Sequence, residues 1–251
     1  MTADVTVEHR PTRWGVMRSR AIGAHRDGVP EAVVVPGLAV AEYLLPAVVA
    51  LGGWTRAHLV ELPGFGGSGE PPHPMDVVQF ADALSQWLDA SDLGDVVLAG
   101  HSSGTQVAAR AAVGRPDVTA LVLASPTVDL RFRSLPRVLL AWRRNHELEP
   151  PSLDKVHTPE RRRAGLRRVR NALAASLADR VEDVVPQVAV PVLVLYGDAD
   201  RICTEAWARE LAARAPDGRF ATLPGAHSFP YTSPDAWSEP IRQLADQVRR
   251  G

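Results

Sequence analysis

Cysteine and lysine are almost missing from this chain of 251 residues: Cys203 is its single cysteine and Lys155 its single lysine. One thiol makes no internal disulfide, so a disulfide scaffold is excluded and a reducing compartment is expected. The lysine deficit is read as a coding bias without a binding role. An excess of one charge sign is lacking as well, with 28 basic against 29 acidic side chains and a net charge of −1. That balance gives no global attraction for nucleic acid or for an acidic membrane surface, and neither is expected as a partner. Long apolar runs are also missing. The longest, 43–54, is interrupted by Pro46 and falls far short of the roughly 18 to 20 residues that span a bilayer. The first residues, MTADVTVEHRPTRW, lack a basic head followed by an apolar core, so a cytoplasmic location is expected.

What is present is an ordinary globular composition, 45% apolar and 23% charged. Short β-rich runs alternate with helix-length amphipathic ones, the pattern of an α/β fold with a mainly parallel sheet covered by helices on both faces. Eight strands are expected at 5–8, 14–22, 32–35, 57–61, 95–99, 119–124, 192–196 and 219–223. The later ones are almost continuously apolar, as strands buried on both faces are. Helices are expected at 41–51, 76–90, 103–113, 204–214 and 234–249. In the second of these, Val77, Phe80, Ala81, Leu84, Trp87 and Leu88 fall on one face.

The alternation breaks once, between the strands ending at Ala124 and beginning at Val192. A connection of that length is an insertion with helices of its own. Its second half is expected to hold a helix capped by Thr158, with Pro159 in its first turn and Leu166, Val169, Leu173, Leu177 and Val181 on one face. Residues 127–190 carry 13 basic and 8 acidic side chains. Arg161, Arg162, Arg163, Arg167, Arg168 and Arg170 fall largely opposite that apolar face. A solvated surface is the default reading, and attraction of a carboxylate, a coenzyme A phosphate or an acidic carrier protein is the alternative.

Chemistry is concentrated in three short segments. Gly100-His101-Ser102-Ser103-Gly104 lies between an apolar strand and a helix-forming run. A nucleophile on so sharp a turn needs small neighbours, because the backbone is strained and the following helix passes close by. A serine hydroxyl is a weak nucleophile near neutral pH, so it needs a base to take its proton and a carboxylate to orient that base. His227 follows the last strand. Asp200 follows the strand 192–196, with Asp198 and Asp129 as competitors for the acid. All of these positions fall at strand C-terminal ends, the edge where open α/β sheets bind ligands.

In these three motifs, taken in the order Ser, Asp, His, the chain resembles the α/β-hydrolase superfamily over nearly its whole length. The glycine-rich segment 62–69 is similar to the loop after that family's fourth strand. The resemblance implies Ser102 as nucleophile, His227 as general base and acid, and Asp200 as the orienting carboxylate. It also implies an oxyanion hole from the backbone N–H groups of Ser103 and Leu38. The loop around Leu38 departs from the family in having Pro36-Gly37 where His-Gly is frequent, and Glu61 stands where aspartate is frequent. A core of residues 1–126 and 191–251 is expected, with 127–190 as a helical lid. Gly37, Phe132 and Trp142 are expected at the substrate pocket, although Phe132 and Trp142, with Leu139 and Leu140, equally suit a role in fastening the lid to the core.

The implied activity is that of a serine hydrolase cleaving an ester, lactone or thioester of a small or medium apolar substrate through an acyl-enzyme. Alternatives on the same fold are a carbon–carbon bond hydrolase, a biosynthetic acyl-transferring cyclase, or a ligand-binding member without turnover. His101 is read as a structural residue packed under the elbow. The remaining histidines, His9, His25, His58, His73, His146 and His157, show no metal-ligand spacing, and neither a metal nor a cofactor is expected. Segment 64–69 is no phosphate cradle, since no Gly-Lys-Ser/Thr follows it. Cys203 reads as a small buried apolar residue.

Overall fold

Alternating apolar strands demand covering on both sides, and a computed structural model, which describes residues 4–37 and 39–249, supplies it. The strands are β1 (Val5–Thr12), β2 (Gly15–Ile22), β3 (Glu31–Val35), β4 (Ala57–Glu61), β5 (Val96–His101), β6 (Val118–Ala124), β7 (Val192–Gly197) and β8 (Gly218–Leu223). They form one sheet in the order β1-β2-β4-β3-β5-β6-β7-β8. The β1–β2 and β2–β4 pairs are antiparallel, and all pairings from β4–β3 onward are parallel. Each of the eight expected strands is present.

The helices are α1 (Leu45–Gly52), α2 (Val77–Asp89), α3 (Gly104–Ala112), α4 (Leu135–His146), α5 (Pro151–Ala164), α6 (Leu166–Ala178), α7 (Val181–Val184), α8 (Glu205–Arg214), α9 (Phe229–Thr232) and α10 (Pro234–Val248). Side-chain alternation along the central strands divides the core in two. Val33, Val35, Leu98, Leu121 and Leu123 pack with Trp87 of α2, Val107 of α3 and Trp207 of α8. Ala32, Val34, Val97, Ala99 and Val122 pack on the other face with Val48 of α1 and Trp237 and Ile241 of α10. Local chemistry sets the helix starts: Asp76 and Gln79 form a capping box on α2, and the Thr204 hydroxyl accepts from Trp207 N on α8.

The insertion between β6 and β7 holds α4 to α7. One expectation within it is corrected. Thr158 caps no helix, because α5 already begins at Pro151 and runs through Pro159 to Ala164. The fixed φ of Pro159 suits a helix interior, at the loss of one backbone hydrogen bond. The break falls at Gly165, whose φ of 78° is left-handed, and Leu166 just beyond it is 90% exposed and not on a buried face. Within the insertion Arg133 pairs with Glu182 (2.6 Å). Polar ties bind the insertion to the core: Arg110 pairs with Asp179 (2.6 Å), and Arg168 Nη1 donates to the carbonyl of Gly64 (2.7 Å). Glu160 Oε2 accepts from the backbone N–H groups of Ala41 (2.9 Å) and Glu42 (3.0 Å), in the segment after β3. Among the described residues no helix is long and apolar enough to cross a membrane.

Candidate active site

The parallel strands end along one edge of the sheet, and that edge collects the three motifs. Ser102 follows β5, Asp200 follows β7 and His227 follows β8. Ser102 has a φ of 55°, a strained value for a residue with a side chain. Both flanking glycines are required by space. A Cβ on Gly100 would lie 2.6 Å from the carbonyl oxygen of Gly104, and one on Gly104 would lie 2.5 Å from that of Pro36. The turn is held by Ser102 N donating to the Ala124 carbonyl (3.0 Å).

Ser102 Oγ lies 2.9 Å from His227 Nε2, and His227 Nδ1 lies 2.9 Å from Asp200 Oδ2. The other Asp200 oxygen accepts from Ile202 N (2.7 Å) and Cys203 N (3.0 Å). With a carboxylate as its partner, Nδ1 is assigned the proton, which leaves Nε2 free to accept from the serine. Burial by itself would raise the Asp200 carboxyl, but His227 and the surrounding donors outweigh it and hold the pKa below the usual carboxylate range. Burial would likewise lower His227, and the Asp200 carboxylate outweighs it, so its pKa is raised above 6.5. The two competing acids have other partners. Asp198 Oδ1 accepts from Gly225 N (2.9 Å), and Asp129 accepts from Arg131 N (2.8 Å) and the Thr204 hydroxyl (2.5 Å).

Ser103 sits at the start of α3, and its N–H makes no hydrogen bond among the described residues, as an oxyanion donor at a helix N-terminus requires. The second expected donor, Leu38, lies outside the described residues. Its neighbour Gly37 approaches Ser102 closely, since a Cβ there would stand 3.1 Å from Ser102 Cβ.

Several supporting residues escaped the sequence reading. The Tyr43 hydroxyl accepts from Gly37 N (3.1 Å) and lies 2.5 Å from His101 Nδ1. His101 Nε2 lies 2.8 Å from the carbonyl oxygen of His227 and so carries the proton. Burial, with His227 nearby, pushes the His101 pKa down to about 3, so the ring is neutral and braces the site from below. On α4, Asn145 Oδ1 accepts from His227 N (3.3 Å) and Arg201 N (3.1 Å). Its Nδ2 donates to Glu149 Oε1 (2.8 Å), which also accepts from Ser228 N (2.8 Å). No motif announced Tyr43, Asn145 or Glu149. For Asn145 the available signal was a polar residue on the buried face that Val138 and Ala141 share on α4.

A cavity of about 80 Å³ opens above Ser102, lined by Gly37, Val40, Tyr43, Trp142, His157, Arg161 and Val169 together with the triad serine and histidine. Gly37 and Trp142 thus line the cavity that holds Ser102. Phe132 does not line this cavity; it lines a separate depression with Tyr196, Arg137 and Leu140. All of Arg161, Arg162, Arg163, Arg167 and Arg170 are exposed, but of these Arg161 alone also lines the cavity over Ser102. Cys203 is fully buried, which pushes its thiol pKa well up and makes it unreactive. Glu61, at the departure from the family's aspartate, binds Arg18 bidentately (2.8 and 2.6 Å) and accepts from Gly67 N (2.5 Å), so it anchors the glycine-rich turn.

Residues 32–239, from β3 into α10, match the model of the alpha/beta hydrolase family. The chain belongs to that family. As an α/β-hydrolase it is an enzyme type that acts on ester-like bonds. It is 28% identical to the polyketide synthase ThaQ of Burkholderia thailandensis over 88% of its own length, and it spans only 12% of that protein. It is 25% identical to the putative carbamate hydrolase RutD of Azorhizobium caulinodans, over 81% of this chain and 86% of that one. Among solved structures, the enol-lactonase from Burkholderia xenovorans LB400 superposes with a TM-score of 0.75 at 19% identity, covering 95% of this α/β-hydrolase and 100% of the lactonase. At that identity the likeness is one of fold.

Proposed function

We propose that this α/β-hydrolase is a serine hydrolase that cleaves an ester, lactone or thioester of a small or medium apolar acyl group through an acyl-enzyme. Ser102 Oγ attacks the acyl carbonyl carbon while His227 Nε2 takes its proton. The oxyanion is held by the N–H groups of Ser103 and Leu38. When the tetrahedral intermediate collapses, the alcohol or thiol leaves with the proton from His227. Water then attacks the acyl-enzyme and gives a proton to His227, which passes it to Ser102 Oγ as the acid is released. Asp200 orients the imidazole and stabilises its cationic form.

The continuous 2.9 Å and 2.9 Å links from Ser102 through His227 to Asp200 carry this reading. Residues 127–190 act in it as a lid, with Trp142 of α4 and Val169 of α6 over the nucleophile. A cytosolic setting belongs to the same proposal, in keeping with a lone, buried thiol. The test is a stopped-flow experiment with p-nitrophenyl butyrate and intact-mass detection. An initial burst with one butyryl group on Ser102 is the expected result, and turnover that persists in Ser102→Ala would reject it.

A second reading is transfer of an acyl group from a thioester on an acidic carrier protein. The match to a polyketide synthase favours it, as do the exposed arginines Arg162, Arg163, Arg167 and Arg170 on α5 and α6. It predicts acyl-enzyme formation from an acyl-carrier thioester that slows as salt is raised, and the same rate with Arg162→Ala and Arg163→Ala would exclude it.

A further inference from the structure

Sheltered arginines in this protein have carboxylate partners. Arg18 pairs with Glu61 (2.6 Å), Arg20 with Glu42 (2.8 Å), Arg110 with Asp179 (2.6 Å), Arg115 with Asp117 (2.6 Å) and Arg133 with Glu182 (2.6 Å). Arg161 is exposed to solvent, yet it also lines the cavity above Ser102, and it makes no ion pair among the described residues. Its one hydrogen bond there runs from Nη2 to His157 Nδ1 at 3.4 Å, which is long, so Nε and Nη1 stay unengaged.

No carboxylate forms an ion pair with this charge among the described residues. No aspartate or glutamate lines the cavity. Burial lowers the Arg161 pKa, with Asp154 on the same helix and Tyr43 opposing that shift. Burial, and then the Arg161 charge, push His157 down to about 3, so that ring is neutral and its buried Nε2 has no partner among the described residues. An unpaired guanidinium lining the same cavity as Ser102 points to an anion delivered by the substrate.

We infer that Arg161 binds a carboxylate carried by the acyl group, so that the substrate is a short half-ester, half-thioester or lactone of a dicarboxylic acid. This deepens the serine-hydrolase reading and rests on it. A carboxylate matches the single charge and the forked donors of one guanidinium, whereas a phosphate dianion would stay half-compensated. The cavity of about 80 Å³ admits a short chain, and Val40, Trp142 and Val169 give that chain apolar walls. Arg161 stands four residues after His157 on α5, the helix whose Leu153, His157, Glu160 and Ala164 face inward, so its position follows from that helix's packing.

Binding of monomethyl glutarate to the Ser102→Ala protein, measured by calorimetry, tests this without turnover. The expected result is binding that weakens as salt is raised and is lost by about 10- to 100-fold in Ser102→Ala/Arg161→Leu. Ser102→Ala/Arg162→Leu serves as the control, because Arg162 lies outside the cavity, and it should bind as Ser102→Ala does. Equal affinity with and without Arg161, or equally tight binding of uncharged methyl pentanoate, would overturn the inference. Tighter Arg161-dependent binding of 4′-phosphopantetheine than of monomethyl glutarate would overturn the carboxylate in favour of a phosphate. A failure here leaves the acyl-enzyme experiment on the Ser102 protein unaffected, so the two readings fail separately.

Discussion

Asn145, on a helix outside the sheet, accepts a hydrogen bond from the backbone N–H of His227 at 3.3 Å. The same oxygen accepts from Arg201 N, next to Asp200, so one side chain spans the loops that bear His227 and Asp200. The insertion therefore bears on the geometry of the candidate triad as well as covering it.

Replacing Asn145 by leucine leaves both N–H groups without their partner and removes one of the two donors to Glu149 Oε1. The expected outcome is a kcat lowered about three- to tenfold, equivalent to one or two modest hydrogen bonds, with a smaller change in KM. Steady-state kinetics on an activated ester check it. A change in KM alone would place Asn145 in substrate binding.

Asp200→Asn keeps the shape of the acid and removes its charge. Amide and imidazole then compete over the tautomer, and kcat is expected to fall by about three to four orders of magnitude. Measurement of kcat at saturating ester decides it, and a loss below tenfold would move the acid's role to another carboxylate.

The pH profile follows from the direction of the His227 shift. Only the neutral ring accepts the serine proton, and its pKa is raised above 6.5 by Asp200. The acid limb of kcat/KM is therefore expected to lie above pH 6.5, with activity lost as pH falls through it. In Asp200→Asn the raising influence is gone and burial remains, so the residual activity should have its limb at lower pH. A limb that does not move would show that His227 is not the titrating group.

Tyr43→Phe removes the hydroxyl that joins Gly37 N to His101 Nδ1. Two buried polar groups lose their partner, a cost of about 2 kcal/mol, or roughly 4 to 8 °C in Tm for a chain of this size. Calorimetric melting tests it, and an unchanged Tm would mean that water replaces the hydroxyl.

The sheet was legible because its strands are buried on both faces and so read as continuous apolar runs, as in the segment from Val192 to Tyr196. The nucleophile turn was legible because sterics limit which residues flank Ser102, and because Asp200 and His227 follow strands that end at the same edge. The α5 start was not, since Pro159 looks the same in a first turn as in a helix interior that gives up one hydrogen bond. Phe132 was assigned to the pocket by its place in the insertion, yet the packing of α4 turns Trp142 to the cavity over Ser102, while Phe132, before that helix, lines a separate depression. Arg161 was indistinguishable from Arg162 and Arg163 until the helix rotation was known. Tertiary packing decides all three cases, and periodicity carries no record of it.

The reactivity of Ser102 is tested most directly by treating the native protein with a fluorophosphonate and locating the adduct by peptide mass. The account predicts one phosphonyl group, on Ser102, formed rapidly in the native protein and slowed at least about 100-fold in His227→Ala. A folded protein that stays unlabelled, or that is labelled equally fast without the imidazole, would contradict it.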